Sequence, residues 1–432
     1  MIIFSPKFSL NMTSKERLLA TINHREPDRV CVDFGATPVT GIHVSVINKL
    51  WQRMFGQHDY RVKVIEPYQM LGEIDPGLRD GLGIDVIGTP GRKSLIGTDE
   101  EGPWKPFRMF DGTEVMIHHN LNFTIDPEKG DLLGYPEGDM SVGPSVRMPN
   151  GGYFCDTIIR QDPIDDNNLN PDDNTEEFKL FTEEDINYYR NKKRWIDRNS
   201  DYGSLVVVPG TAFGDIALVP APFMKHPKGI RDIQEWYISP LIRRDYVLAV
   251  FERQCEIGLK NIDTLAEILG DSVQVAMVSG TDFGTQSTTF ISPETYRDVF
   301  KPFHIAINKR IHEKTNWKTF IHSCGAVRDL IPEFIEAGFD ILNPVQISAV
   351  GMDPRELKKE FGKDIVFWGG GVDTQKTLPY GTPEEVYREV REMVDILGPG
   401  GGFVFNSVHN IQGNVPVENV EAMFKALKPD RF

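Results

Sequence analysis

The chain has 432 residues, 47 Lys and Arg against 63 Asp and Glu for a formal net charge of −16, and 40% hydrophobic, 25% charged and 10% aromatic residues. That is the profile of an ordinary folded protein rather than a disordered or fibrous one. Its acidity excludes a general attraction to nucleic acid or an anionic membrane surface, while leaving room for a local basic pocket. No apolar run approaches the roughly 20 residues of a membrane span, and Met1 to Met12 holds too short an apolar stretch for a secretory signal, so the expected location is cytoplasmic. The four cysteines, Cys31, Cys155, Cys255 and Cys324, form no CxxC pair, which argues against a disulfide scaffold or a zinc finger.

In chain order, Val30–Phe34 and Asp85–Ile87 read as the first two strands. About a hundred residues outside any βα pattern follow. Gly102 to Tyr153, rich in Gly, Pro and aromatics, suggests a small β insertion, and Asp162 to Glu177, dense in Asp, Asn and Pro, suggests a solvated loop. So long an interruption of a compact domain is read as a lid or cap over about residues 100–200, with a disordered surface insertion as the alternative.

From about residue 203 the pattern is regular. Ser204–Val208, Ser272–Val278, Lys318–His322, Phe339–Asn343, Ile365–Trp368 and Gly402–Asn406 are continuous apolar runs, as expected of parallel strands buried on both faces. The helices between them carry start and stop signals. Ser292-Pro293-Glu294 and Thr382-Pro383-Glu384-Glu385 each open with a capping residue and Pro in the first turn. The apolar stripe Val327, Leu330, Ile331, Phe334 and Ile335 ends at Gly338. Pro302, inside the helix that Ser292 opens, predicts a kink or break. Six strands and the earlier two make the eight of a (β/α)8 TIM barrel with a long insertion after the second strand, in a single domain spanning residues 1–432. An open doubly wound sheet is the alternative, and the glycine-rich first turn it usually carries is missing.

A barrel enzyme places its chemistry where strands end. His322 and Cys324, two apart, reach the same face, and Gly325 lets the chain turn away. Imidazole and thiolate suit Zn²⁺ at about 2.0–2.3 Å, and His409, beyond the eighth strand, supplies a third ligand while a fourth position stays open for substrate. The alternative is a reduced structural cysteine beside a hydrogen-bonded histidine. Asp282 is a candidate base or substrate ligand, and equally a helix cap. Gln286, Asn343, Gln346, Trp368 and Asn406 are candidate substrate contacts. Gly369 to Gly371 could cradle an anion or relieve crowding; Gly398 to Gly402 precedes a strand and reads as structural. No Walker, GxSxG or HExxH motif is present, which removes P-loop phosphoryl transfer, serine hydrolysis and zincin proteolysis.

Several segments resemble the uroporphyrinogen decarboxylase superfamily. They are Thr13 to Ala20 with Glu26-Pro27-Asp28-Arg29-Val30, Ile291-Ser292-Pro293-Glu294, Gly371-Val372-Asp373, and Asn406 to Ile411 with Val415 to Val420. The resemblance implies a (β/α)8 barrel and two candidate activities. Decarboxylases of the family carry an Arg-Gln-Ala-Gly-Arg segment near the N-terminus, and the corresponding Phe34-Gly35-Ala36-Thr37-Pro38 has no arginine to meet an acidic porphyrinogen. Cobalamin-dependent methyltransferases of the family carry His-x-Cys-Gly as zinc ligands, matched by His322 and Cys324. Their third ligand is commonly a cysteine, where this chain has His409; decarboxylases use a histidine there for substrate. The resemblance therefore implies a zinc-dependent methyltransferase that moves a methyl group between a small methylated substrate or thiol and a corrinoid (methylcobalamin) presented by a partner corrinoid-binding protein. A metal-free decarboxylase or lyase, or a non-catalytic binding barrel, are the other readings.

Overall fold

The computed structural model describes residues 12–427; apart from Met12, the segment weighed above as a secretory signal lies outside the described residues. Eight parallel strands form one sheet. They are β1 (Cys31–Val32), β2 (Val86–Thr89), β3 (Gly203–Val207), β4 (Val275–Ser279), β5 (Lys318–His322), β6 (Ile341–Asn343), β7 (Val366–Trp368) and β8 (Phe403–Phe405). Each pairs in parallel with its neighbours from β2 round to β8, and β8 pairs with β1. At the seam between β2 and β1 the Asp85 N–H donates to the Val32 carbonyl at 2.7 Å. The fold is a (β/α)8 barrel, and all eight expected strands are present. The fourth begins at Val275 rather than Ser272, because Gly270–Ser272 closes the preceding helix with a 3-10 turn.

Period-two alternation divides the strand residues between two apolar layers. Cys31, Val86, Leu205, Val275, Met277, Phe320, Ile341, Val366 and Val404 fill the barrel interior. Val32, Val206, Ala276, Ile321, Leu342, Phe367 and Phe405 face the surrounding helices. Leu18 and Ile22 of the first helix, Ser14–Ile22, join the interior cluster and plug the end where the strands begin. The inward rows change character at the other end: Asp33, Ser279, His322, Asn343 and Asn406 each stand two residues beyond an interior apolar residue, and all are buried. The site thus occupies the top layer of the barrel filling.

The expected disruption at Pro302 takes the form of a π-helical turn, Tyr296–Phe300, between the Ser292-capped first turn and the helix Lys301–Lys314. Proline has no N–H for the ladder and crowds the carbonyl one turn back, which a widened turn relieves. Gly338, at φ +87°, follows the helix Ile331–Glu336 as the left-handed terminator its sequence position predicts.

The insertion contains an antiparallel hairpin, Trp104–Arg108 with Glu114–His118, and a four-stranded antiparallel sheet built from Phe123–Ile125, Leu132–Gly134, Val146–Met148 and Asp156–Thr157. The stretch Asp162 to Glu177 is largely exposed as far as Asp172, as expected of a solvated loop, but its end is anchored. Asn174 is buried, donating to the Ile230 carbonyl and accepting from the Ile230 N–H, and Glu177 pairs with the buried Arg231 at 2.8 Å. Asn174 and Glu177 serve tertiary partners some 55 positions away, which composition cannot reveal.

Candidate metal centre at the barrel mouth

His322 ends β5 and lies in register with Asn343 at the end of β6. Both point inward, so the imidazole Nδ1 meets Asn343 Oδ1 at 2.5 Å. The Asn343 amide is oriented by its other end, where Nδ2 donates to the Trp368 carbonyl at 2.7 Å. Oδ1 is therefore the atom that faces the histidine, Nδ1–H is the donor, and the neutral ring presents the Nε2 lone pair to the mouth.

Cys324 Sγ is 3.4 Å from that Nε2. The turn carrying it is fixed from both sides: Asp282 Oδ1 accepts the Cys324 N–H at 2.7 Å, and Gln346 Oε1 accepts the Gly325 N–H at 2.8 Å. Gly325 has φ +93°, and a Cβ there would lie 2.3 Å from the Gly284 carbonyl carbon, so the close crossing of these two loops requires glycine. The His409 ring stands 5.4 Å from the His322 ring, centroid to centroid, at 73°. The ligating atoms of His322, Cys324 and His409 all lie within 4.8 Å of one another.

Burial, together with the Asp282 carboxylate, pushes the Cys324 thiol well above its ordinary value. Burial and the neighbouring His322 push His409 down to about 4. The Cys324 thiol and His409 are thus held toward their neutral forms, and a divalent ion bound there would supply the charge that offsets a thiolate. Two nitrogens and one sulfur with an open side suit zinc: tetrahedral bonds of about 2.0–2.3 Å need donors roughly 3.3–3.8 Å apart. His322 and Cys324 are already at such a distance, and a His409 ring nitrogen lies within 4.8 Å of both.

The other candidate residues fall into four groups. Asp282, its side chain 28% exposed and 3.6 Å from His322 Nε2, borders the cluster and holds the Cys324 backbone. Asn343 orients His322. Gln346 and Gln286 are joined Nε2 to Oε1 at 3.0 Å, and Gln286 Nε2 reaches the Ser348 carbonyl, so the pair ties the loops after β4, β5 and β6 together. Trp368 and Asn406 are fully enclosed in the barrel: the indole donates to Asp33 Oδ2 at 2.9 Å, and Asn406 Nδ2 donates to the Asp33 carbonyl at 2.8 Å. The three glycines after β7 relieve crowding: a Cβ on Gly371 would strike the Phe405 ring at 2.2 Å, and the N–H groups of Gly369 and Gly371 already donate to carbonyls of the β8 segment.

Sequence reasoning passed over three acidic or phenolic groups near the mouth. Asp33, beneath Trp368, is pushed up to about 7 by burial. Asp215, in the loop after β3, is pushed up to about 7 by burial and by Asp282, with Oδ1 accepting the Ala217 N–H. The Tyr237 hydroxyl reaches the Asp282 carbonyl at 3.3 Å, and burial together with the charges of Asp282, Asp215 and Cys324 raises it. Asp215 reads locally as a turn residue and Tyr237 as part of an apolar helix, so neither carries a signal in sequence alone. The insertion meets the same rim. The Tyr153 carbonyl accepts from His43 Nε2 at 2.9 Å, and Arg160 donates to the Ala221 and Met224 carbonyls of the loop after β3.

Residues 259–429 match the family model "Uroporphyrinogen decarboxylase (URO-D)". A methylated-thiol–coenzyme M methyltransferase of Methanosarcina mazei is 28% identical over 150 residues, 33% of this chain and 35% of the relative. A uroporphyrinogen decarboxylase of Magnetococcus marinus is 24% identical over 111 residues, 26% of this chain and 28% of the relative. The chain is therefore aligned to about a third of the length of these curated relatives. A solved methyltransferase from Methanosarcina mazei superposes with a TM-score of 0.53 at 13% identity, covering 97% of this chain and 99% of that one, a likeness of fold. Among the described residues no helix is long and apolar enough to cross a membrane.

Proposed function

We propose, on the match of residues 259–429 to the uroporphyrinogen decarboxylase (URO-D) family model, that the protein is a zinc-dependent methyltransferase of that family, moving a methyl group between a small methylated compound or thiol and the cobalt of a corrinoid held by a separate protein. The observation that carries this reading is the triad His322, Cys324 and His409, with the His322 tautomer fixed by Asn343 so that Nε2 faces the other two donors. Zinc held there would act as a Lewis acid, generating a thiolate from a thiol or polarising the oxygen or nitrogen of a methyl donor. The chain's own residues prepare the place. Asn343 holds one ligand in its ligating form, Asp282 fixes the turn of the second, and Asp215 and Tyr237 provide polar groups on the side toward β3 and β4. Exposed Phe290 and Val350, on segments following β4 and β6, give the rim an apolar surface suited to a docking protein that delivers the corrinoid. The insertion is the lid of this mouth, and the setting is cytoplasmic.

A metal-free decarboxylase is the second reading, favoured by the Magnetococcus relative. Against it stands the arginine-free loop Phe34–Pro38, which offers no cation to a polycarboxylate. Elemental analysis of the purified protein beside a His322→Ala variant decides between them. About one zinc per chain, lost in the variant and required for transfer of the methyl of methylcobalamin to a thiol, supports the methyltransferase; a metal-free, unchanged protein supports the lyase.

A further inference from the structure

Behind the loop after β3 lies a cavity of about 200 Å³, bounded by the helix Arg244–Leu269, by Trp236 of the helix Ile233–Ile242 and by residues 174–181 of the insertion. A dry apolar cavity of about 150 Å³ holds benzene, so this one has room for a single aromatic ring with a small substituent. Five rings line it, those of Phe178, Phe181, Phe223, Trp236 and Phe251. Gly214, at φ +68°, lets the indole edge approach the loop: a Cβ there would lie 3.0 Å from Trp236 Nε1.

Two polar groups in this wall are almost completely buried and lack a partner. Trp236 is 4% exposed, and its indole N–H donates to no acceptor among the described residues. The two other buried indoles, Trp317 and Trp368, donate to the Gly270 carbonyl at 2.8 Å and to Asp33 at 2.9 Å. Gln254 is 2% exposed; its Nε2 donates to the Ala212 carbonyl at 3.3 Å, and its Oε1 accepts from no donor among the described residues.

We propose that this cavity binds a single-ring neutral aromatic carrying both a hydrogen-bond acceptor and a donor, as a primary carboxamide does, with Trp236 Nε1–H and Gln254 Oε1 as its two polar contacts. A buried donor and a buried acceptor left unpaired are costly, and a ligand that brings one of each relieves both. An unsubstituted ring would leave them as they are. The charges of the wall favour neither a cation nor an anion: Glu177 is held by the buried Arg231 at 2.8 Å, and the remaining Lys179 and Asp215 are opposite in sign. Nor does the wall contribute to a cluster of three metal-ligating side chains, the His322 triad being the one such cluster among the described residues.

The cavity adjoins the barrel mouth and is separate from the triad. Tyr237, next to Trp236 in sequence, reaches the Asp282 carbonyl at 3.3 Å, and Asp215 Oδ2 would lie 2.6 Å from a Cβ on Gly280, in the turn after β4. An occupant touching Trp236 and Asp215 therefore bears on the groups beside Asp282. The inference does not depend on the methyltransferase reading.

Isothermal titration of the full-length protein with benzamide tests the proposal, beside acetophenone, which keeps the acceptor and lacks the donor, and benzoate, which is anionic. The expected result is a saturable site for benzamide, with acetophenone and benzoate each weaker by about fivefold or more. Trp236→Phe keeps a ring in the wall and removes the N–H, so it should weaken benzamide about tenfold while the melting temperature holds. Should that variant fail to fold, Gln254→Met, on the other helix, takes its place with the same expectation. Absence of binding at roughly 10 mM benzamide, binding of acetophenone or benzoate as tight as that of benzamide, or unchanged affinity in the folded variant overturns the site.

Discussion

The arc β5–β8 and the seam between β1 and β2 solve the same closure problem in different ways. Along the arc, backbone ladders set the register, and register alone places His322 beside Asn343. At the seam the ladder dwindles to the Asp85–Val32 bond and a buried carboxylate takes its place: Asp85 accepts from the Val32 N–H at 2.9 Å, Arg17 at 2.6 Å, Arg29 at 2.7 Å and Ser14 at 2.7 Å. A ladder is built from groups every residue carries, so it tolerates sequence change. A charge network depends on each member, and where it replaces the ladder the wall opens into a cavity.

The contrast is broken most directly by Asp85→Ala. It takes from Arg17, whose side chain is 6% exposed, one of its two carboxylates, Asp28 remaining at 2.7 Å, and strips the Val32 N–H and Arg29 of their acceptor, and should cost about 3 kcal/mol of stability in urea unfolding. A loss below about 1 kcal/mol would show that the seam is held by something else. On the arc the largest effect should fall on metal rather than on folding. Cys324→Ser should lower zinc affinity by more than about a hundredfold, since a hydroxyl keeps its proton where a thiol becomes thiolate, with little change in melting temperature of the apoprotein. His409→Ala should lower it less if that ring serves substrate as well. Asn343→Ala, which touches no metal, should lower zinc affinity about ten- to a hundredfold by releasing the His322 tautomer, measured by competition with a chromophoric chelator.

A smaller effect belongs to pH. Burial raises Asp33 to about 7 from an ordinary 3.8, so the folded chain keeps a proton that the unfolded chain loses. The stability this gives is fully present near pH 4 and is lost as pH rises through about 7. Asp33→Asn should flatten that part of the stability–pH curve, and the difference between the two curves isolates Asp33 from Glu66, Glu100 and Asp215, which shift the same way. Smallest in energy is the insertion. As a lid it should exchange amide hydrogens faster than β5–β8, and slow down when a ligand fills the mouth. Protection equal to that of the barrel strands, with no response to ligand, would make it a fixed wall.

Much of the fold was legible because parallel strands buried on both faces announce themselves as short apolar runs. The eight runs from Val30 to Asn406 stand where the barrel strands are, and Lys318–His322 matches to the residue. The pair His322 and Cys324 was legible for the same local reason, since side chains two apart share a face. The boundary at Ser272 was not, because a 3-10 turn and a strand entry both suit Asp-Ser-Val. The anchoring of Asn174 and Glu177 was hidden too, because composition registers polarity and cannot register a partner such as Arg231.

What the sequence by itself determined is therefore whatever depends on neighbours within a few residues: strand and helix periods, the caps at Ser292 and Thr382, the break before Pro302, and the polar ends of apolar runs. Only the tertiary structure decided which of those ends meet. Asn343 became the group that orients His322, Trp368 and Asn406 became supports for Asp33, and Asp215 and Tyr237 gained their environments from segments tens of residues away. Desolvation and Coulomb interaction act through space, and distance through space is set when the barrel closes.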